Sequence, residues 1–89
     1  MRVEGEAGGG ACRAVVNGKM KLLDLTMDPA LLAGMAVDEK TRDLATSLIK
    51  DAINDATEKA QRRVQEEISK EAEDLGLGDL GGQLGGFLS

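Results

Sequence analysis

Cys12-Arg13-Ala14-Val15-Val16-Asn17-Gly18-Lys19-Met20-Lys21-Leu22-Leu23-Asp24-Leu25-Thr26-Met27 is the stretch that decides the fold. Two alternating runs flank Asn17-Gly18, the strongest short hairpin signal, because both central positions of a type I′ turn need a positive φ that Asn and Gly tolerate best. A two-residue loop sets Val16 opposite Lys19, Ala14 opposite Lys21 and Cys12 opposite Leu23. Cys12, Ala14, Val16, Leu23, Leu25 and Met27 then share one face. Ala11, Arg13, Val15, Met20 and Leu22 share the other. Both faces are partly apolar, so one helix cannot cover the sheet, and Val15, Met20 and Leu22 become a candidate surface for a second copy or a docked helix.

On the N-terminal side, Arg2–Ala7 alternates charged and small residues and reads as a first strand, joined through Gly8-Gly9-Gly10. Triple glycine fits several loop lengths, so its register stays open. On the C-terminal side, Asp28-Pro29 starts a short helical turn, with Asp as N-cap, Pro in the first position and Gly34 as its stop. Leu31 and Leu32 are expected under the sheet edge. Asp38 caps a long helix over about 38–75, and Gly76 is its natural C′ residue. Leu44, Leu48, Ile49, Ala52, Ile53, Ala56, Ala60, Val64, Ile68, Ala72 and Leu75 recur in steps of three and four. At 1.5 Å per residue this rod is about 57 Å long, whereas three strands span roughly 15 Å. Its far half, with Val64 and Ile68, must project, pack on another helix or fray. Strands over about 2–7, 11–16 and 19–27, the long helix, and a flexible glycine-rich tail over 76–89 give an α+β chain with a three-stranded antiparallel sheet.

Composition removes whole classes of chemistry. The 89 residues hold one Cys, one Pro, one Phe and no His, Trp or Tyr, with a formal charge of −5. Imidazole catalysis is out, one Cys without His is no zinc set, and a lone thiol makes no internal disulfide. No apolar run reaches the roughly 20 residues of a membrane span, and no signal-peptide core opens the chain, so a cytoplasmic protein is expected. Cys12 falls on the predicted core face and reads as buried. Glu66, Glu67, Glu71, Glu73 and Asp74 read as a solvated face rather than a metal site. Gly8–Gly10 joins two strands and lacks a following Lys-Ser/Thr, so it is no phosphate loop. Neither catalysis, a cofactor, a metal nor a small-molecule substrate finds residues to carry it.

Lys59, Arg62 and Arg63 form the densest basic cluster. Two readings compete: i,i+4 pairs Glu58–Arg62, Arg62–Glu66 and Arg63–Glu67 on a solvated helix, or contacts to nucleic-acid phosphates. A single Phe and no Trp or Tyr make no aromatic platform, so stacking on single-stranded bases is not expected.

The order Val3-x-Gly5, a glycine turn, a strand ending in Asn17-Gly18, a strand ending in Met27-Asp28-Pro29 with Leu31-Leu32, and a helix with Lys50-Asp51-Ala52-Ile53-Asn54-Asp55-Ala56 closely resembles the YbaB/EbfC family of bacterial nucleoid-associated proteins. The likeness covers about residues 3–75. It implies a dimeric α+β fold with projecting helical arms. It further implies a non-enzymatic, nucleoid-associated role in chromosome organisation or regulation, with duplex DNA bound with weak sequence preference. Family members carry an N-terminal helix before the first strand, and this sequence opens almost on the strand itself. On this reading Arg13, Lys19 and Lys21 on the hairpin and Lys59, Arg62 and Arg63 on the arm contact phosphates. The alternative is a dimeric protein–protein scaffold with no physiological DNA binding, which the acidic helix favours.

Overall fold

The structure is a computed structural model that describes residues 1–76. Three strands, β1 (Val3–Ala7), β2 (Cys12–Val16) and β3 (Leu22–Met27), form an antiparallel sheet in the order β1-β2-β3. Two helices follow, α1 (Pro29–Val37) and α2 (Glu39–Asp74). The α+β class, the three-stranded antiparallel sheet and the long helix match the sequence expectation. The expected tail lies outside the described residues from Leu77 onward.

Both predicted N-caps form. The Asp28 carboxylate accepts from the Ala30 amide at 2.8 Å, and that of Asp38 from the Lys40 amide at 3.1 Å and the Thr41 hydroxyl at 2.9 Å. Each satisfies amides that a helix start leaves without partners. Gly34 does not stop α1, which continues to Val37. Its lack of a side chain instead serves packing: a Cβ there would lie 2.8 Å from Thr41 Cγ2 of α2. The expected docking of Leu31 and Leu32 under the sheet edge is also corrected, because α1 packs on α2 and Leu32 stays exposed.

The hairpin is where the sequence reading and the structure part. Asn17-Gly18 is not a two-residue turn. Asn17 N–H donates to Lys21 O at 3.0 Å, Met20 takes φ +63°, and the Asn17 side-chain oxygen accepts from the amides of Lys19 and Lys21 at 2.9 and 3.0 Å. Cys12 therefore faces Met27 and Ala14 faces Leu25, with an irregularity where Val16 meets Leu22. The reason is electrostatic. Directly opposed residues share a face, so the two-residue loop would have pressed Lys19 and Lys21 against the helix beside Val16 and Ala14. Burying unpaired ammonium groups costs several kcal/mol, and the longer loop leaves both lysines exposed in the turn.

The same shift rewrites the outer face. Glu4, Val15 and Asp24 lie abreast on it, as do Glu6, Arg13 and Thr26. It is a mainly charged surface, not the apolar one expected from Val15, Met20 and Leu22. Met20 leaves it altogether and packs against the core.

That core is built from small side chains. Val3, Cys12, Ala14 and Val16 of the sheet meet Ala52, Ala56 and Ala60 of α2, flanked by Leu25, Met27, Leu48, Ile49 and Ile53. The alanine ridge lets α2 approach β1 until main chain meets main chain: a Cβ on Gly5 would sit 2.2 Å from the Ala56 nitrogen. Close approach replaces the missing aromatics, because dispersion depends on contact distance more than on side-chain size. Cys12 is completely buried, and burial pushes its thiol pKa up, so it is not poised as a nucleophile.

α2 lies on β1 and β2, and β3 is left largely uncovered. Leu22 and Leu23, at the irregularity of β3, are consequently 41% and 42% exposed. The uncovered apolar surface thus exists, but at β3 rather than on the outer face.

Candidate nucleic-acid interface

Pairing of Val3 with Val16 sets the β2–β3 turn beside the start of β1, and Met1 packs near Gly18. β1 runs antiparallel to α2, since Gly8 neighbours Leu48 and Gly5 neighbours Ala52 and Ala56. Val3 and Ala60 share the core at the same end. Beyond Ala60 the helix leaves the sheet. Three sequence-distant segments therefore meet at one end of the fold: Arg2 before β1, Lys19 and Lys21 in the turn, and Lys59, Arg62 and Arg63 where the arm departs. On a regular helix Lys59, Arg63 and Lys70 continue on the side that faces the sheet, at about 100° per residue. The result is a basic corner between hairpin and arm, with Glu66 and Glu67 at its margin.

Ion pairing sorts these cations. Lys59 Nζ reaches Asp55 Oδ2 at 2.9 Å, and Asp55 also accepts from the Glu6 amide at 3.0 Å, tying α2 to the edge of β1. The Lys59 hydrogen bond, then that from Glu6, holds the Asp55 carboxyl below the usual carboxylate range, with Arg62 adding a smaller effect. Arg13 stands apart on the outer face, 3.4 Å from Glu4 and 3.9 Å from Glu6. The expected pairs of Arg62 and Arg63 with Glu58, Glu66 and Glu67 are absent among the described residues, where Asp55–Lys59 is the single i,i+4 pair. Arg2, Lys19, Lys21, Arg62 and Arg63 make no salt bridge within the described residues.

The structure thus brings five of the six predicted contacts, Lys19, Lys21, Lys59, Arg62 and Arg63, to one end and leaves Arg13 out. Sequence reading missed Arg2. Its only signal was nonlocal, the pairing that puts the start of β1 beside the turn. A depression on the arm is lined by Glu58, Gln61, Arg62 and Gln65. Of the predicted docking residues, Val15 is half-buried, Leu22 exposed, Val64 half-buried and Ile68 61% exposed.

Residues 1–75 match the model of the YbaB/EbfC DNA-binding family. The chain belongs to that family. A nucleoid-associated protein of Chlorobaculum tepidum is 42% identical over 84 residues, which cover 93% of this chain and 69% of the relative. A second, from Acidobacterium capsulatum, is 38% identical over 85 residues, 96% of this chain and 68% of the relative. A third, from Chlorobaculum parvum, is 38% identical over 69 residues, 78% of this chain and 56% of the relative. The chain therefore spans between about half and two thirds of the length of these YbaB/EbfC relatives. YbaB/EbfC is a family of DNA-binding proteins and not a known enzyme family. Among the described residues no helix is long and apolar enough to cross a membrane.

Proposed function

We propose that this YbaB/EbfC chain binds duplex DNA as a homodimer in the cytoplasmic nucleoid, through phosphate contacts from the basic corner, reading backbone and shape more than base sequence. The observation that supports this is the placement of Arg2, Lys19, Lys21, Arg62 and Arg63 toward one end, with no carboxylate engaged among the described residues. Phosphates bind such groups with release of condensed counterions, and backbone contacts position a protein on the duplex without reading its sequence. The overall charge of −5 makes that clustering necessary, because a uniformly spread surface would repel DNA. No catalytic step and no small-molecule substrate enter this role.

The second copy is assigned to the β3 side. The opposite sheet edge is tied to α2 through Asp55, whereas Leu22 and Leu23 of β3 remain exposed and a second subunit would cover them. Two copies would present two basic corners, and linked sites bind DNA more tightly than either alone. The same exposed leucines favour the rival, a protein scaffold without DNA.

Fluorescence anisotropy of a labelled duplex against salt separates the two. About five phosphate contacts per subunit predict a log–log salt slope near −4.5 or steeper. Arg62→Glu with Arg63→Glu should weaken binding at least about tenfold and flatten the slope by about 2 per subunit. Arg13→Gln should leave affinity unchanged, since Glu4 and Glu6 already engage that side chain. A chain that ignores duplex at low salt, or an Arg62/Arg63 reversal without effect, overturns the DNA reading. Sedimentation as a monomer at micromolar concentration overturns the dimer.

A further inference from the structure

We propose that Asp24 closes the free edge of the sheet to a further strand, so that copies of this chain meet through side chains and not through a shared sheet. The proposal stands for a monomer and for a dimer alike.

The two outer edges of the sheet are protected differently. β1 lies under α2, and its Glu6 amide already donates to Asp55 Oδ2 at 3.0 Å. β3 has no such cover, and Leu22 and Leu23 on it are exposed. An uncovered apolar edge strand is a template for pairing with another chain, and folded proteins blunt such edges.

The ladder identifies the amides on that edge. Asp28 N–H donates to Ala11 O at 2.8 Å, toward β2. Amides alternate in direction along a strand, so those of Thr26 and Asp24 also face β2, and those of Leu25 and Met27 face outward.

The outward row is closed at three of its four positions. Leu23 sits at the irregularity, where Val15 meets Asp24 and Val16 meets Leu22, and a bulge of this kind bends a strand and breaks its ladder. The Leu25 amide donates to Asp24 Oδ1 at 3.0 Å. Pro29, two residues beyond Met27, has no N–H to give. Among the described residues of this edge, Met27 alone has an outward amide without a partner. One donor does not hold a strand.

Of these closures, the one at Leu25 is supplied by a side chain, and it stands in the middle of the row. A neighbouring strand would have to displace the Asp24 oxygen before its own carbonyl could reach Leu25. Without that oxygen, Leu25 and Met27 become two consecutive outward donors. Two β3 strands laid antiparallel about Leu25 would set Leu25 against its counterpart and position 24 against Thr26, so no register conflict opposes pairing once the amide is free.

Sedimentation velocity and thioflavin fluorescence on the full chain, at high micromolar concentration, test this with Asp24→Ala, Asp24→Asn and Thr26→Ala. Asp24 is exposed and outside the core, so its substitution removes no core contact. Asp24→Ala should pass into larger, sheet-rich assemblies at least about fivefold faster than the parent. Asp24→Asn keeps an oxygen that accepts from Leu25 and should stay within about twofold of the parent. Thr26→Ala lies on the same strand and face with its amide turned to β2, and it should also stay within about twofold. Equal rates for the parent and Asp24→Ala overturn the proposal. So does Asp24→Asn assembling as fast as Asp24→Ala, which assigns the protection to charge and not to the hydrogen bond. Thr26→Ala matching Asp24→Ala overturns it too, because general weakening of β3 then accounts for the effect. The dimer is read from the parent alone, so its failure leaves these comparisons intact.

Discussion

Gly5→Ala should unseat the long helix. The added Cβ would lie 2.2 Å from Ala56 N, 2.6 Å from Ala56 Cα and 2.7 Å from Ala52 O. All three are main-chain atoms of a helix, so no rotamer change relieves the overlap. Ordinary contact begins near 3.4 Å, and α2 must therefore retreat by more than about 1 Å. Such a gap forfeits a quarter to a half of the dispersion energy where Ala52, Ala56 and Ala60 meet Val3, Cys12, Ala14 and Val16. It also stretches the bond from the Glu6 amide to Asp55. Overpacking of about 1–3 kcal/mol plus about 1 kcal/mol for that hydrogen bond gives a loss of about 3 kcal/mol. At about 0.05–0.15 kcal/mol per residue the whole chain holds only about 4–13 kcal/mol, so a quarter or more disappears. Urea unfolding followed by far-UV circular dichroism, at one protein concentration, measures this directly, and the melting temperature should fall by about 12–24 °C. Gly18→Ala is the control. Its nearest neighbour is Met1 Sδ at 3.6 Å, so it should stay within about 0.5 kcal/mol of the parent. A Gly5→Ala protein as stable as that control refutes main-chain contact between β1 and α2.

Asp38→Ala removes two hydrogen bonds at the start of α2 and should lower stability by about 1–2 kcal/mol in the same urea assay, with Asp38→Asn recovering most of it. Asp55 makes stability depend on pH. Its folded-state pKa is depressed, so its contribution is complete above the ordinary carboxylate range and is lost as pH falls through the lowered value. Unfolding midpoints measured from about pH 6 to pH 2 should therefore drop less steeply for Asp55→Asn than for the parent. An unchanged acid limb would mean that the Lys59 and Glu6 contacts do not form in solution.

Much of the organisation was legible because it is written in short-range terms. Asp28, Asp38 and Gly76 mark helix ends through hydrogen bonds to near neighbours, and alternation places Cys12, Ala14 and Val16 on one face of β2, and Leu25 and Met27 on one face of β3. The phosphate-binding candidates were half legible. Residue type singled out Lys59, Arg62 and Arg63, yet nothing local distinguished Arg13, which Glu4 and Glu6 engage across the strands, from Lys19 and Lys21, which they do not. Arg2 carried no pattern of its own.

The sequence by itself determined the kinds of element, their order and the inward face of each, because periodicity and capping are properties of neighbouring residues. Tertiary structure alone decided the hairpin register, the outer-face chemistry and the basic corner. The reason is that a strand's register is chosen by what it would bury against α2. Two lysines there would be desolvated without partners, so Leu22 and Leu25 take their place opposite Val16 and Ala14 and the lysines move to the exposed turn.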